Sequence, residues 1–141
     1  MPETKKRIPR ELCDATKEPY VIDEFISPEH ERHDPSNIIR YDDKYYVWFT
    51  EHTKASFGYD TCYVMYATST DGCDWRIEGK ALSAGGPGDW DERYAYTAHV
   101  VPHDGKYYLF YTGKRAESSK PCIGYAVADT PEGPCSTHNA I

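Results

Sequence analysis

The sequence predicts an all-β protein: a β-propeller of four-stranded antiparallel blades, with two blades in this chain. Three observations carry that expectation. Aromatic residues make up 14% of the chain, and 13 of them are tyrosines, side chains that favour pleated, half-buried surfaces. The chain repeats itself once: NIIRYDDKYYVWFT at 37–50 matches HVVPHDGKYYLFYT at 99–112 at a constant offset of 62 and without a gap. Repeats of this period signal stacked arrays or propellers. Finally, the central strand of each copy is apolar on both faces. In 44–50, Tyr45, Val47 and Phe49 fall on one face and Tyr46 and Trp48 on the other, and 107–111 behaves alike. A sheet wetted on one side would alternate. Without helices to cover it, a sheet apolar on both sides must lie between other sheets, as propeller blades do.

The elements follow in order. Residues 1–30 read as an N-terminal extension, with a weak helical turn near 9–15. Blade one occupies about 31–82 and blade two about 83–141. In the first unit a short strand at 36–41 meets the Asp42-Asp43 turn and a second strand at 44–50. A polar loop, 51–61, leads to a third strand at 62–69, the Asp71-Gly72 turn and a short outer strand near 75–78. The second unit places strands near 97–102, 106–112 and 122–128, with a last one after Pro134. YVMYATS (63–69) and CIGYAVA (122–128) form a second, weaker matching block. Gly, Pro and Asp punctuate most junctions, as hairpins require.

Composition narrows the function. The 141 residues carry 16 Lys and Arg against 23 Asp and Glu, a net charge of −7, which argues against nucleic acid and against an anionic membrane surface. No apolar run approaches the ~18 residues of a membrane span. The opening MPETKKRIPREL has no apolar core, so no secretory leader is expected on this chain. Five cysteines form neither a CxxC pair nor a metal-ligand spacing, which reads as reduced thiols in a cytoplasmic protein with no metal and no cofactor.

Strand order sorts the acidic residues. Antiparallel neighbours put the start of each inner strand, the loop 51–61, the connection 83–96 and the loop 113–121 at one end of the ring. Asp42, Asp71, Asp104 and Glu132 fall at the opposite end and read as turn residues. Asp34 is left at the mouth of the first inner strand, beside Pro35, which restricts it toward an extended backbone. Its alternative role is to cap the turn before Pro35.

HDPSNIIRYDDKYYVWFT (33–50), the S-x-D-G-x-x-W turn (69–75) and GDWDERYAYTAHVVPHDGKYYLFYTG (88–113) resemble the first two blades of five-bladed glycoside hydrolases of families 43 and 117. The likeness covers about 31–134. It implies an enzyme that hydrolyses glycosidic bonds of an oligo- or polysaccharide, with Asp34 as the general base that activates water. The second blade departs from the pattern. Family 43 commonly places an Asp there that tunes the acid's pKa, and family 117 an acidic residue, whereas AYTAHVV (95–101) carries His99. Asp91 and Glu92, on the connection between blades, are the carboxylates available to replace it. His33, Trp90 and His99 complete the expected sugar contacts, with packing between blades as the other role open to Trp90. The general acid of family 43 comes from a later blade, so the chain alone is expected to be inactive. The competing reading is a carbohydrate-binding segment that uses Trp90, His99 and the tyrosines without catalysis.

A ring of at least ~4 blades needs more chain than this one supplies. Either the chain is part of a longer protein, or several copies close the ring through their bare apolar faces.

Overall fold

The computed structural model describes residues 22–53, 62–115, 119–133 and 136–137. They form two antiparallel sheets with a single 3₁₀ turn, Asp23–Phe25, packed on the first. The turn expected at 9–15 lies outside the described residues, as do 54–61 of the loop expected after the second strand.

Sheet 1 contains β1 (His30–His33), β2 (Ile39–Tyr41), β3 (Lys44–Thr53), β4 (Tyr63–Ser69) and β5 (Arg76–Leu82). Sheet 2 contains β6 (Tyr94–His103), β7 (Lys106–Lys114), β8 (Cys122–Ala128) and β9 (Ser136–Thr137) in that spatial order. These are two blades of a β-propeller. The tight turns are where Asp and Gly place them: Asp42, Asp43, Asp104 and Gly105 all adopt positive φ, which Asp and Gly tolerate best. Asp71 closes the β4–β5 turn by accepting the backbone N–H groups of Cys73 and Asp74 at 2.8 and 2.9 Å, and these bonds hold its carboxyl below the usual carboxylate range.

The inner strand of blade one differs from the single strand expected at 36–41. It is split into β1 and β2, both paired with β3. Between them the chain turns out at Asp34, whose φ of 52° is left-handed rather than the extended conformation expected beside Pro35. Pro35 has no N–H to continue a ladder. Ser36 repairs the gap: its N–H donates to the Trp48 carbonyl at 2.8 Å and its Oγ accepts the Trp48 N–H at 3.0 Å. β3 in turn runs to Thr53, past the expected end at Thr50, because Glu51 and His52 pair with Arg32 and Glu31 of β1. Tertiary pairing has made a strand of residues whose polarity reads as loop.

Blade two carries the same irregularity in milder form. β6 is continuous but slips in register between Tyr96 and His99, around Thr97 at φ 57°. Thr97 is β-branched, so this backbone is strained. Downstream of the slip the repeat holds at 62, since Ile39 faces Tyr46 and Val101 faces Tyr108. Upstream it becomes 63, since His33 faces Thr50 and Tyr96 faces Thr112. The gapless offset read from sequence is therefore broken by one residue, and Asp34 and Thr97 become counterparts.

The main core lies between the sheets. Ile39, Tyr46, Trp48, Val64 and Leu82 of sheet 1 pack on Ala95, Ala98, Val100, Leu109, Tyr111 and Ala126 of sheet 2. On the far face of sheet 1, Val47, Phe49, Ala67 and Trp75 form a second cluster, partly covered by Ile22 and Phe25. Each fully buried side chain of this size stabilises the fold by about 1.5–3 kcal/mol. Asn37 fixes the alignment of the two sheets. Its side-chain amide donates to the Val100 carbonyl at 2.9 Å and its Oδ1 accepts the Val100 N–H at 3.1 Å, so one side chain satisfies both backbone groups as a neighbouring strand would.

Asn37→Ala should destabilise the fold by about 1–3 kcal/mol, the cost of leaving a partly buried donor and acceptor unpaired. Urea unfolding measures it. Asn37→Asp, which keeps the acceptor but sets a carboxylate against the Val100 carbonyl, should cost at least as much.

Candidate active site

The irregular stretches of the two inner strands meet at one end of the interface. The Asp34 Oδ2 lies 2.9 Å from His33 Nδ1 and accepts from Thr97 Oγ1 at 3.4 Å, so groups of both blades converge on one carboxylate. Thr97 is held from behind: its N–H donates to Thr50 Oγ1 at 2.9 Å, and Thr50 is fully buried. The Asp34 side chain remains 42% exposed, open enough to meet a ligand or a water.

Cys62 is buried, and Ala95 donates its N–H to the Cys62 carbonyl at 3.2 Å, tying the blades together. Burial, with a smaller push from the Asp34 charge, raises the Cys62 thiol to about 11. Tyr96 is raised as well, by burial first and then by Cys62 and Asp34. Both groups stay neutral at ordinary pH. Cys62, Cys73 and Cys122 are free thiols.

A second set of charges lies along β1 and β3. Glu51 is buried and pairs with Arg32 Nε, while His30 lies 3.7 Å from its other oxygen. The Tyr63 hydroxyl also binds Glu51. Next along β3, the buried His52 has its Nε2 3.2 Å from Glu31, and its ring meets the His33 ring edge-on at 5.3 Å. Glu31, His52, His33 and Asp34 thus form a row along the β1–β3 pair. Among the described residues no group of three His, Cys, Asp or Glu is placed to hold a metal ion.

The other residues singled out from the sequence have different surroundings. His99 is exposed. Its neighbours Ala98 and Val100 point into the core between the sheets, so His99 projects from the opposite face of β6. Trp90 lies over Gly113 and Gly124, where any Cβ would overlap its ring, and packs on Tyr111 at 5.4 Å as part of the core between the sheets. Asp91 is buried and accepts the Tyr111 hydroxyl at 2.6 Å. Glu92 is exposed and accepts the Gly88 N–H at 2.9 Å, bracing its own loop. The structure therefore gathers His33 and Asp34 and gives Trp90 and Asp91 packing roles. Thr97, which touches Asp34, was missed. The one signal for it is the register slip, which no gapless alignment reveals.

The sequence profile of glycosyl hydrolases family 43 matches residues 28–141. The chain belongs to that family. A probable sucrose-6-phosphate hydrolase of Vibrio cholerae is 30% identical over 113 residues, covering 79% of this chain and 20% of the relative. A family 117 glycoside hydrolase of the marine bacterium Zobellia galactanivorans superposes with a TM-score of 0.73 at 26% identity, over 86% of this chain and 41% of that one. A family 43 enzyme of Xanthomonas citri complexed with xylotriose superposes with a TM-score of 0.62 at 23% identity, over 82% and 34%. The chain thus spans about a fifth of the curated relative and well under half of the five-bladed neighbours.

The packing role of Trp90 is checked by a double-mutant cycle. Gly124→Ala should cost about 1–3 kcal/mol from overpacking against the indole. In a Trp90→Ala background that cost should fall to a few tenths of a kcal/mol. Equal costs in both backgrounds would place the indole elsewhere.

Proposed function

We propose that this chain is the base-bearing part of a glycosidase, acting on the glycosidic bonds of an oligo- or polysaccharide with Asp34 as general base. The observation that carries the reading is the Asp34 carboxylate: half-exposed, oriented by His33 at 2.9 Å and Thr97 at 3.4 Å, at the end of the core between two blades. A general base must hold its carboxylate within hydrogen-bond reach of the proton it removes. Donors on one Asp34 oxygen fix the plane of the carboxylate and aim it. In the step proposed, Asp34 takes a proton from water as the water oxygen bonds to the anomeric carbon. The bond to the leaving oxygen breaks, and that oxygen is protonated by a second carboxyl group. If the reaction inverts, the two carboxyls stand ~6.5–9.5 Å apart, leaving room for the water.

Family membership supports the reaction type, and the name of the Vibrio relative and the sugar complex of the Xanthomonas structure point to the same bond. His33 serves as a positioning residue for Asp34. His99, exposed across from Phe110 on the face of β6 turned away from sheet 1, is a further candidate for a sugar contact, with packing against another blade as its alternative. The second carboxyl group is sought beyond this chain, since Asp91 is committed to Tyr111 and Glu92 to its own loop. Alone, the chain should show no measurable turnover, because the acid step by itself is worth ~10²–10⁴-fold.

In a complete enzyme carrying these two blades, Asp34→Asn should lower kcat by about 10²–10⁴-fold while sugar affinity stays within a few-fold. Steady-state kinetics beside calorimetric binding tests this. Turnover unchanged, or turnover and binding lost together, would remove Asp34 from the role. His99→Ala should raise KM several-fold with the thermal midpoint preserved. A lowered midpoint with unchanged kinetics would assign His99 to packing.

A further inference from the structure

We propose that His52, backed by Glu31, is a positioning residue for the Asp34 carboxylate: it fixes the plane of the His33 ring and so keeps the His33 Nδ1 proton on Asp34, a role that rests on Asp34 being the general base.

His33 needs such support. Its Nδ1 lies 2.9 Å from Asp34 Oδ2, and an ionised carboxylate can only accept, so in this contact the proton sits on Nδ1. The two residues are neighbours in the chain, and their side chains are 40% and 42% exposed. An exposed pair of this kind contributes little by itself and leaves the ring free to turn. A carboxylate that must meet a water at one position loses rate steeply when its donor swings away.

Strand register supplies the brace. Glu31 faces His52 and His33 faces Thr50, so these four side chains stand on one side of the β1–β3 pair. That side is turned to sheet 2, since Tyr46 and Trp48 alternate onto it and Thr50 receives the Thr97 N–H there. His30, Arg32 and Glu51 alternate onto the opposite side, where they pair with one another. On the inner side His52 is buried, although β1 and the end of β3 are otherwise polar. Its Nε2 stands 3.2 Å from Glu31 Oε2, and its ring meets the His33 ring at a centroid distance of 5.3 Å and 65° between planes. An imidazole confined by burial and held at Nε2 is a fixed wall for the ring beside it. Thr50 and His52, two residues apart on β3, thus each support one of the two groups that reach Asp34: Thr50 holds Thr97, and His52 holds His33. One strand is the common platform for both donors.

Nitrogen NMR of labelled imidazoles in the 141-residue chain, in mildly alkaline solution, should show His33 with its proton on Nδ1. His52→Ala should lower the ratio of Nδ1–H to Nε2–H at His33 by about threefold or more, as loss of an aromatic edge contact does. Glu31→Ala alters an exposed side chain and keeps the fold, and it should move the ratio in the same direction. Glu31→Gln, which retains an acceptor for His52 Nε2, should leave the ratio near that of the parent. In a complete enzyme carrying these two blades, His52→Ala should lower kcat about tenfold with KM within a few-fold. A His33 ratio unchanged in either alanine variant would overturn the proposal, as would an unchanged kcat in His52→Ala where Asp34→Asn abolishes turnover. If Asp34→Asn leaves turnover intact while the His33 ratio still follows His52 and Glu31, the base assignment falls and the positioning of His33 on Asp34 stands.

Discussion

The packing of sheet 1 on sheet 2 governs everything else in this chain. Tyr46 and Trp48 press on Leu109 and Tyr111, and the site exists only because that contact brings Thr97 of one blade beside Asp34 of the other. The register of the contact is polar in origin. Asn37 reads the backbone of Val100 in both directions, Tyr46 donates to Glu132 at 2.8 Å, and Thr50 receives Thr97. Apolar area supplies the cohesion without direction. Four directional bonds decide which residues face each other.

The strain at the mouth follows from the same arrangement. Both inner strands leave regular geometry at the same level, Asp34 at φ 52° and Thr97 at φ 57°. A regular strand would alternate its side chains between faces and leave neither residue aimed along the ring axis. Interrupting the strand turns the side chains of Asp34 and Thr97 toward each other, and the buried Thr50 holds the departure in place. Backbone outliers of this kind persist where surrounding structure over-determines them, and they gather at sites of function.

Trp90 shows how the same residue type can serve either packing or binding. Its loop lies at the site end, where an aromatic ring would suit a sugar. Two glycines, Gly113 and Gly124, open a bed for the indole on sheet 2, and blade one has Met65 at the place of Gly124. The absence of two Cβ atoms draws the ring inward, and Asp91 next to it is then carried to the Tyr111 hydroxyl. Glycine in a strand interior often marks a close approach of this sort.

The sequence by itself determined the blades. Strand periodicity, aromatic content and the repeat are local or one-dimensional properties, and β3, β4, β7 and β8 lie where those signals put them, as do the turns at Asp42, Asp71 and Asp104. The two-faced apolar pattern of 44–50 is met by a cluster on each face of sheet 1, where Tyr46 and Trp48 separate from Val47 and Phe49 as alternation requires, whereas among the described residues of sheet 2 the apolar cluster lies on the face turned to sheet 1. Asp34 stood out in the sequence as an acid beside a proline at a strand mouth, but its role as general base came from the resemblance to family 43 and is a proposal, and its backbone is left-handed where the proline suggested an extended one. What only the tertiary structure decided is the content of the site. β1 and the extension of β3 are polar segments that become strands because Arg32, Glu51, Glu31 and His52 find each other across the ladder. The approach of Thr97 to Asp34 depends on a one-residue slip within β6, and the burial of Asp91 depends on a hydroxyl twenty residues away. Such pairings are settled by which backbone edges meet in space. Neither composition nor spacing encodes that meeting in any form that can be read before the sheets are stacked.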